Sequence, residues 1–121
     1  MSLVTSGKSQ TIFYVQNMAN EVHFYRDILG LKIIFPHELE NYREEMWVEF
    51  SLGDHSLALH GGSEALPDEQ HEIVFWVADV AQAREMIIKA GIVMNEIREL
   101  EDGSPIAEGK DPDGHQFAIR S

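Results

Sequence analysis

The chain has 121 residues, of which 21 are acidic and 9 basic, a formal charge of −12 with its six histidines neutral. With no cluster of Lys or Arg it lacks the basic face that displaces counterions from phosphate, which argues against nucleic acid and against an anionic membrane surface as partners. Apolar residues at 44% and charged residues at 25% belong to a globular domain, and the absence of cysteine removes disulfides, a thiol nucleophile and any thiolate metal site. The length predicts one domain over residues 1–121 that buries roughly two thirds of its unfolded surface. No charged leader and no run near 18 apolar residues occurs, so the expectation is a cytoplasmic protein without a membrane span.

Taken in chain order, Gln10 to Val15 predicts a strand, and Asn17 opens a helix whose apolar stripe is Met18, Val22, Tyr25 and Leu29, closed by Gly30. Asn accepts backbone N–H bonds at the open helix end, and Gly suits the left-handed residue beyond the other end. An extended run over Leu31 to Phe35 follows, then a solvated loop carrying Glu38, Glu40, Glu44 and Glu45, then two strands reaching His60. The polar stretch Gly61 to Gln70, with Gly-Gly and Pro67, predicts a boundary.

Beyond it the same order returns. Glu72 to Val77 predicts a strand, and Asp79 caps a helix with Val80, Ala83, Ile87 and Ala90 on its stripe, closed by Gly91. Ile92 to Glu96 predicts an extended run, and the chain ends in two further strands, the last before Ser121. The copies are offset by 62 residues at Val15 and Val77, 61 at Gly30 and Gly91, and 60 at His55 and His115. The prediction is therefore an α+β protein of two tandem beta-alpha-beta-beta-beta modules, one at about residues 8–62 and the other at about 70–121. Neither could bury its sheet face alone, so the two are read as one domain.

Strand alternation sorts the side chains. Phe13, Val15, Val48, Phe50, Leu52, Leu57 and Leu59 in the first copy, and Ile73, Phe75, Val77, Phe117 and Ile119 in the second, predict the helix-facing core. The opposite face presents Gln10, Ile12, Tyr14, Trp47, Glu49, Ser51, Ser56, Ala58 and His60, then Glu72, Val74, Trp76, Gln116, Ala118 and Arg120. Two Trp, one Tyr and several charges on one face suit a pocket lining, and equally a half-solvated sheet with aromatic cross-strand pairs.

The run Val22-His-Phe-Tyr-Arg-Asp-Ile-Leu-Gly-Leu31, the end of the second helix at Ile88-Lys-Ala-Gly-Ile92 and the turn Asp111-Pro-Asp-Gly114 resemble the vicinal oxygen chelate superfamily. That superfamily includes glyoxalase I, extradiol dioxygenases and bleomycin resistance proteins. The resemblance implies a cup-shaped mixed sheet with helices on its outer face. It also implies a divalent metal held by first and fourth strands of each module, positions that fall here on Gln10, Ala58, Glu72 and Ala118. Gln10 and Glu72 are acceptable oxygen ligands, whereas an alanine coordinates nothing, so a degraded or absent metal site is expected. A rearranged set of Gln10, Glu72, His60 and Glu49 is the alternative.

Two functions follow from the resemblance. One is a metal-free small-molecule binder similar to bleomycin resistance proteins, which are acidic dimers that sequester a cationic drug in aromatic-lined crevices. Tyr14, Trp47 and Trp76 would be its walls, with His60, Arg120, Glu49 and Glu72 as polar contacts. The other is a divalent-metal-dependent lyase of glyoxalase type, or a related dioxygenase, with Glu72 or Glu49 as base. A homodimer is expected in either case. Ser6-Gly-Lys-Ser9 lacks the upstream glycine of a phosphate loop, and His71-Glu72 lacks the second histidine of a zinc protease helix. His23 and His37 read as surface residues, and His55 and His115 as structural groups at equivalent turns.

Overall fold

The structure, a computed structural model, describes residues 6–62 and 71–121. Most of the predicted boundary at Gly61 to Gln70, Pro67 included, lies outside the described residues. The chain divides into two compact units, Met1–Ala65 and Leu66–Ser121. In the first, β1 (Ser9–Tyr14) leads to α1 (Met18–Val22), a π-helical segment over His23–Ile28, β2 (Lys32–Phe35), β3 (Trp47–Leu52) and β4 (His55–His60). In the second, β5 (Glu72–Trp76) leads to α2 (Val80–Lys89), β6 (Arg98–Glu99), β7 (Pro105–Lys110) and β8 (Gln116–Arg120). The sheets run β1-β4-β3-β2 and β5-β8-β7-β6. Only β1–β4 and β5–β8 are parallel pairs, so each unit is a four-stranded mixed sheet with the beta-alpha-beta-beta-beta order that the repeat predicts.

Both helices begin where their caps place them. Asn17 and Asp79 are extended, and their side chains accept from the backbone N–H of Asn20 and Gln82, each at 3.0 Å. Gly30 and Gly91 take φ of 77° and 97°, the left-handed conformation that ends a helix cheaply only at a residue without Cβ. The first helix does not stay α-helical. The Leu29 N–H reaches back five residues to the Phe24 carbonyl at 2.9 Å, and this wider turn brings the adjacent Phe24 and Tyr25 both into the core. A 3.6-residue stripe anticipates Met18, Val22 and Tyr25 but not Phe24.

In the first unit Phe50, Val48, Leu57 and Leu59 are fully buried, and the Tyr25 ring lies 5.9 Å from that of Phe50. In the second, Ile73, Phe117, Ile119 and Ala107 on the sheet are buried, as are Val80 and Ile87 on α2. One sequence expectation fails. Ile92 to Glu96 is not a strand, and the edge strand is Arg98–Glu99 instead. Met94 tucks over Gly109, making a single bridge to it, and any Cβ there would stand 2.6 Å from the Met94 sulfur. Filling that gap takes the residue out of line for regular pairing.

The Asp-Pro-Asp-Gly turn is built around one carboxylate. Asp111, 4% exposed, accepts from the backbone N–H of Asp113 at 3.0 Å and of His115 at 2.8 Å. His115, 7% exposed, directs Nδ1 at both Asp111 oxygens, 3.1 and 3.0 Å away. Since a carboxylate only accepts, Nδ1 carries the hydrogen. His55 has the matching place in the first unit with different partners, the hydroxyls of Ser9 at 2.6 Å and Thr11 at 2.7 Å. Among the described residues no helix is long and apolar enough to cross a membrane.

Candidate functional site

Cross-strand register puts the predicted site residues of each unit into rows, because directly paired residues project to the same side of a sheet. On the first unit one row is Tyr14–His60–Trp47, the next Ile12–Ala58–Glu49–Phe35, and the third Gln10–Ser56–Ser51–Lys32. On the second the rows are Trp76–Arg120–Ile106–Arg98, Val74–Ala118–Glu108 and Glu72–Gln116–Lys110. The two faces therefore carry the same plan: large side chains at one end, an alanine in the middle with a glutamate on the adjacent strand, polar groups at the other end.

In the first unit these side chains touch. The His60 ring lies 5.2 Å from Tyr14 and 5.9 Å, edge to face, from Trp47. The Trp47 indole N–H donates to Glu49 Oε1 at 2.7 Å, and His60 Nδ1 donates to the Gly61 carbonyl at 2.9 Å. Tyr14 is 53% exposed, so an aromatic face is available to a ligand. Beside Glu49 lies a cavity of about 260 Å³, lined by Ile34, Ser51, Asp54 and Ser56 among others.

The second unit resembles this only in outline. Arg120 lies over Trp76 with its guanidinium carbon 4.2 Å from the ring centroid. Glu108 receives Arg98 at 3.0 Å through Nε and 2.9 Å through a terminal nitrogen, and it borders a cavity of about 220 Å³ with Asn95 and Gln116. The Glu72 carboxyl interacts with that of Glu108. Although much of Glu72 is open to solvent, partial burial first, then the bond to Glu108 and its charge, push Glu72 above the ordinary carboxylate range, while Arg98 pulls the other way.

This shift has a sign. A carboxyl whose pKa is higher in the native state than in the unfolded chain stabilises the fold below its unfolded pKa, and the contribution is lost as pH rises through the native value. Glu72→Gln keeps the neutral form at every pH. Between pH 4 and pH 7 its melting temperature is expected to gain on that of the parent by roughly 1–3 °C, a small figure because solvent screens an exposed pair. A difference that does not change with pH in thermal scans would remove the Glu72–Glu108 interaction.

Sequence reasoning passed over Glu108 and Arg98. The signal lies in the repeat, since Glu49 stands opposite Ala58 and the repeat carries that pair onto Glu108 and Ala118.

The donor set does not fit a metal held as the resemblance implies. In the first unit Gln10 donates through Nε2 to the Ser56 hydroxyl at 3.0 Å, and its partner position is Ala58. In the second, Glu72 is engaged with Glu108 and its partner position is Ala118. Both alanines are fully buried and offer a methyl group where an oxygen or nitrogen donor is needed.

Residues 9–119 match the family model described as Glyoxalase/Bleomycin resistance protein/Dioxygenase superfamily. Solved structures share the fold: a lactoylglutathione lyase from Agrobacterium tumefaciens is 19% identical at a TM-score of 0.74, covering 97% of this chain and 94% of that one. TnmS3, an antibiotic binding protein from Streptomyces sp. CB03234, is 15% identical at a TM-score of 0.77, covering 98% of each chain. A superfamily member from Sphaerobacter thermophilus DSM 20745 is 20% identical at a TM-score of 0.73, covering 93% of this chain and 94% of its own. No curated protein sequence matches the chain.

Proposed function

The chain belongs to the glyoxalase/bleomycin resistance protein/dioxygenase superfamily, and from that premise we propose that it is a metal-independent small-molecule binding protein whose ligand is an aromatic cation held on the open face of the first unit. The observation that carries this reading is the connected row of Tyr14, His60 and Trp47, with Glu49 held by the Trp47 indole at 2.7 Å. A carboxylate oriented in this way is a counter-ion set beside aromatic faces. A cation on such faces gains about 0.5–2 kcal/mol from each ring, and the charge of −12 raises its local concentration. The cavity that Glu49 also borders extends this face away from the aromatic row, toward Ser51 and Ser56. The fold neighbour named as an antibiotic binding protein supports the reading by kind, and the alanines at positions 58 and 118 count against the lyase alternative.

The probe pair N-methylquinolinium and quinoline tests it at pH 7.5, where only the first is charged. The expected result is saturable quenching of tryptophan fluorescence by N-methylquinolinium, at least tenfold tighter than by quinoline. Trp47→Leu and Glu49→Gln should each weaken it about tenfold, a loss of roughly 1.4 kcal/mol. Equal affinity for the two probes, unchanged in Glu49→Gln, would overturn the proposal. So would one divalent ion per chain in the purified protein whose stabilisation is lost in Gln10→Ala. A homodimer belongs to the same reading, and sedimentation as a 13.7 kDa species alone would remove it.

A further inference from the structure

We infer that the open face of the second unit carries an anion platform, Arg120 laid on Trp76, that takes a planar aromatic carboxylate. The inference extends the binding-protein reading to a second face and names a ligand class that reading does not contain.

Arg120 differs from the other arginines of the chain. All five arginines are among the described residues. Four sit against carboxylates: Arg26 on Asp27 at 2.8 Å, Arg43 on Glu44 at 3.6 Å, Arg84 on Glu96 at 3.7 Å and Arg98 on Glu108 at 2.9 Å. Arg120 makes no ion pair among the described residues, in a chain with 21 acids. Its Nε is buried and has no hydrogen-bond partner. Asp102 feels the charge of Arg120, but its carboxylate is bonded to Ser104. An arginine without an ion pair to any carboxylate of the described residues has its charge available to a ligand.

Guanidinium N–H bonds lie in the plane of the group, so a guanidinium set over an indole at 4.2 Å uses its flat face and, with Nε buried, keeps its two terminal nitrogens as the donor edge for a partner in that plane. A carboxylate matches that edge with two parallel bonds. Trp76 is 69% exposed, and Val74, two residues earlier on the same face, is 38% exposed, so an apolar ring beside the carboxylate has a surface to cover. Glu72 and Glu108 share this face and repel a dianion more than a monoanion, which favours carboxylate over phosphate. The equivalent positions of the first unit hold His60 and Tyr14, so the platform belongs to the second unit alone.

The test follows the two indole N–H signals and the arginine Nε–H signals of the full chain by NMR during titration with 2-naphthoate, 2-naphthamide and inorganic phosphate, with Trp76→Phe assigning the indoles. The expected result is that 2-naphthoate shifts Trp76 and Arg120 saturably and binds at least tenfold tighter than the uncharged amide or phosphate. Arg120→Gln should reduce 2-naphthoate to the affinity of the amide, and Arg120→Lys should recover only part, because an ammonium neither stacks nor forks. Equal binding of naphthoate and naphthamide overturns the proposal, as does phosphate binding as tightly as naphthoate. A Trp76 signal that moves on dilution without any ligand also overturns it, by showing that a second copy of the chain covers the platform. If Arg120→Gln does not fold, the naphthoate to naphthamide ratio on the unmodified chain decides. The Trp47 signal with N-methylquinolinium reports separately on the first unit, so either reading can fail without the other.

Discussion

Asp111→Ala is expected to lower the stability of the protein by about 3 kcal/mol, roughly 10 °C in melting temperature, read by urea denaturation and thermal scans. The carboxylate satisfies two backbone N–H groups and the His115 imidazole at once, and it is almost wholly buried. Truncation removes that acceptor from the part-buried Asp113 N–H and from the buried His115 N–H and imidazole, and a buried donor that loses an acceptor costs about 1–3 kcal/mol. Asp111→Asn keeps one acceptor oxygen for the backbone but loses the charge that strengthens all three bonds, so about half the loss is expected. A loss under about 1 kcal/mol for the alanine variant would mean that the turn is held by Pro112 and Gly114 alone and that the carboxylate is incidental.

The same turn shows why parts of this protein are legible in its sequence. Pro at the second position and Gly at the fourth predict a turn from backbone geometry, and Gly114 takes φ of 95°. Nothing local says that Asp111 also receives the histidine four residues on. The helix limits at Asn17, Gly30, Asp79 and Gly91 are legible for the same reason as the turn, since each depends on one residue's own preference. The π-helical turn is not, because Phe24 enters the core through tertiary packing that overrides a 3.6-residue period. The edge strand departs from its expected place for a related cause: Ile92 to Glu96 has the composition of a strand, but Met94 seals Gly109 and regular pairing begins only at Arg98.

Of the open faces, the side of the sheet on which each residue falls follows from alternation, but the chemistry at each position does not. The repeat equates His60 with Arg120 and Tyr14 with Trp76. Cross-strand contacts then diverge, giving an aromatic row with a glutamate in one unit and an arginine stacked on tryptophan in the other. Two copies of one supersecondary plan thus present different chemistry, and the two proposals above assign them ligands of opposite charge. A sequence reading that treats the acidic chain as a whole assigns both faces to cations.

The clearest separation between stability and binding lies within one sheet. Phe50→Ala is expected to cost about 3–5 kcal/mol in urea denaturation, because a fully buried ring packed against Tyr25 leaves a cavity that the fixed strands cannot close. Ile12→Ala, on the other side of the same sheet and 42% exposed, is expected to cost under about 1 kcal/mol. For N-methylquinolinium the order reverses: Ile12 stands between Gln10 and Tyr14 on the open face, and its loss should weaken binding, while a Phe50→Leu variant that remains folded should bind as the parent does. Similar stability costs at Phe50 and Ile12 would mean that both faces are core, and the first unit would then have no open surface on which to hold a ligand.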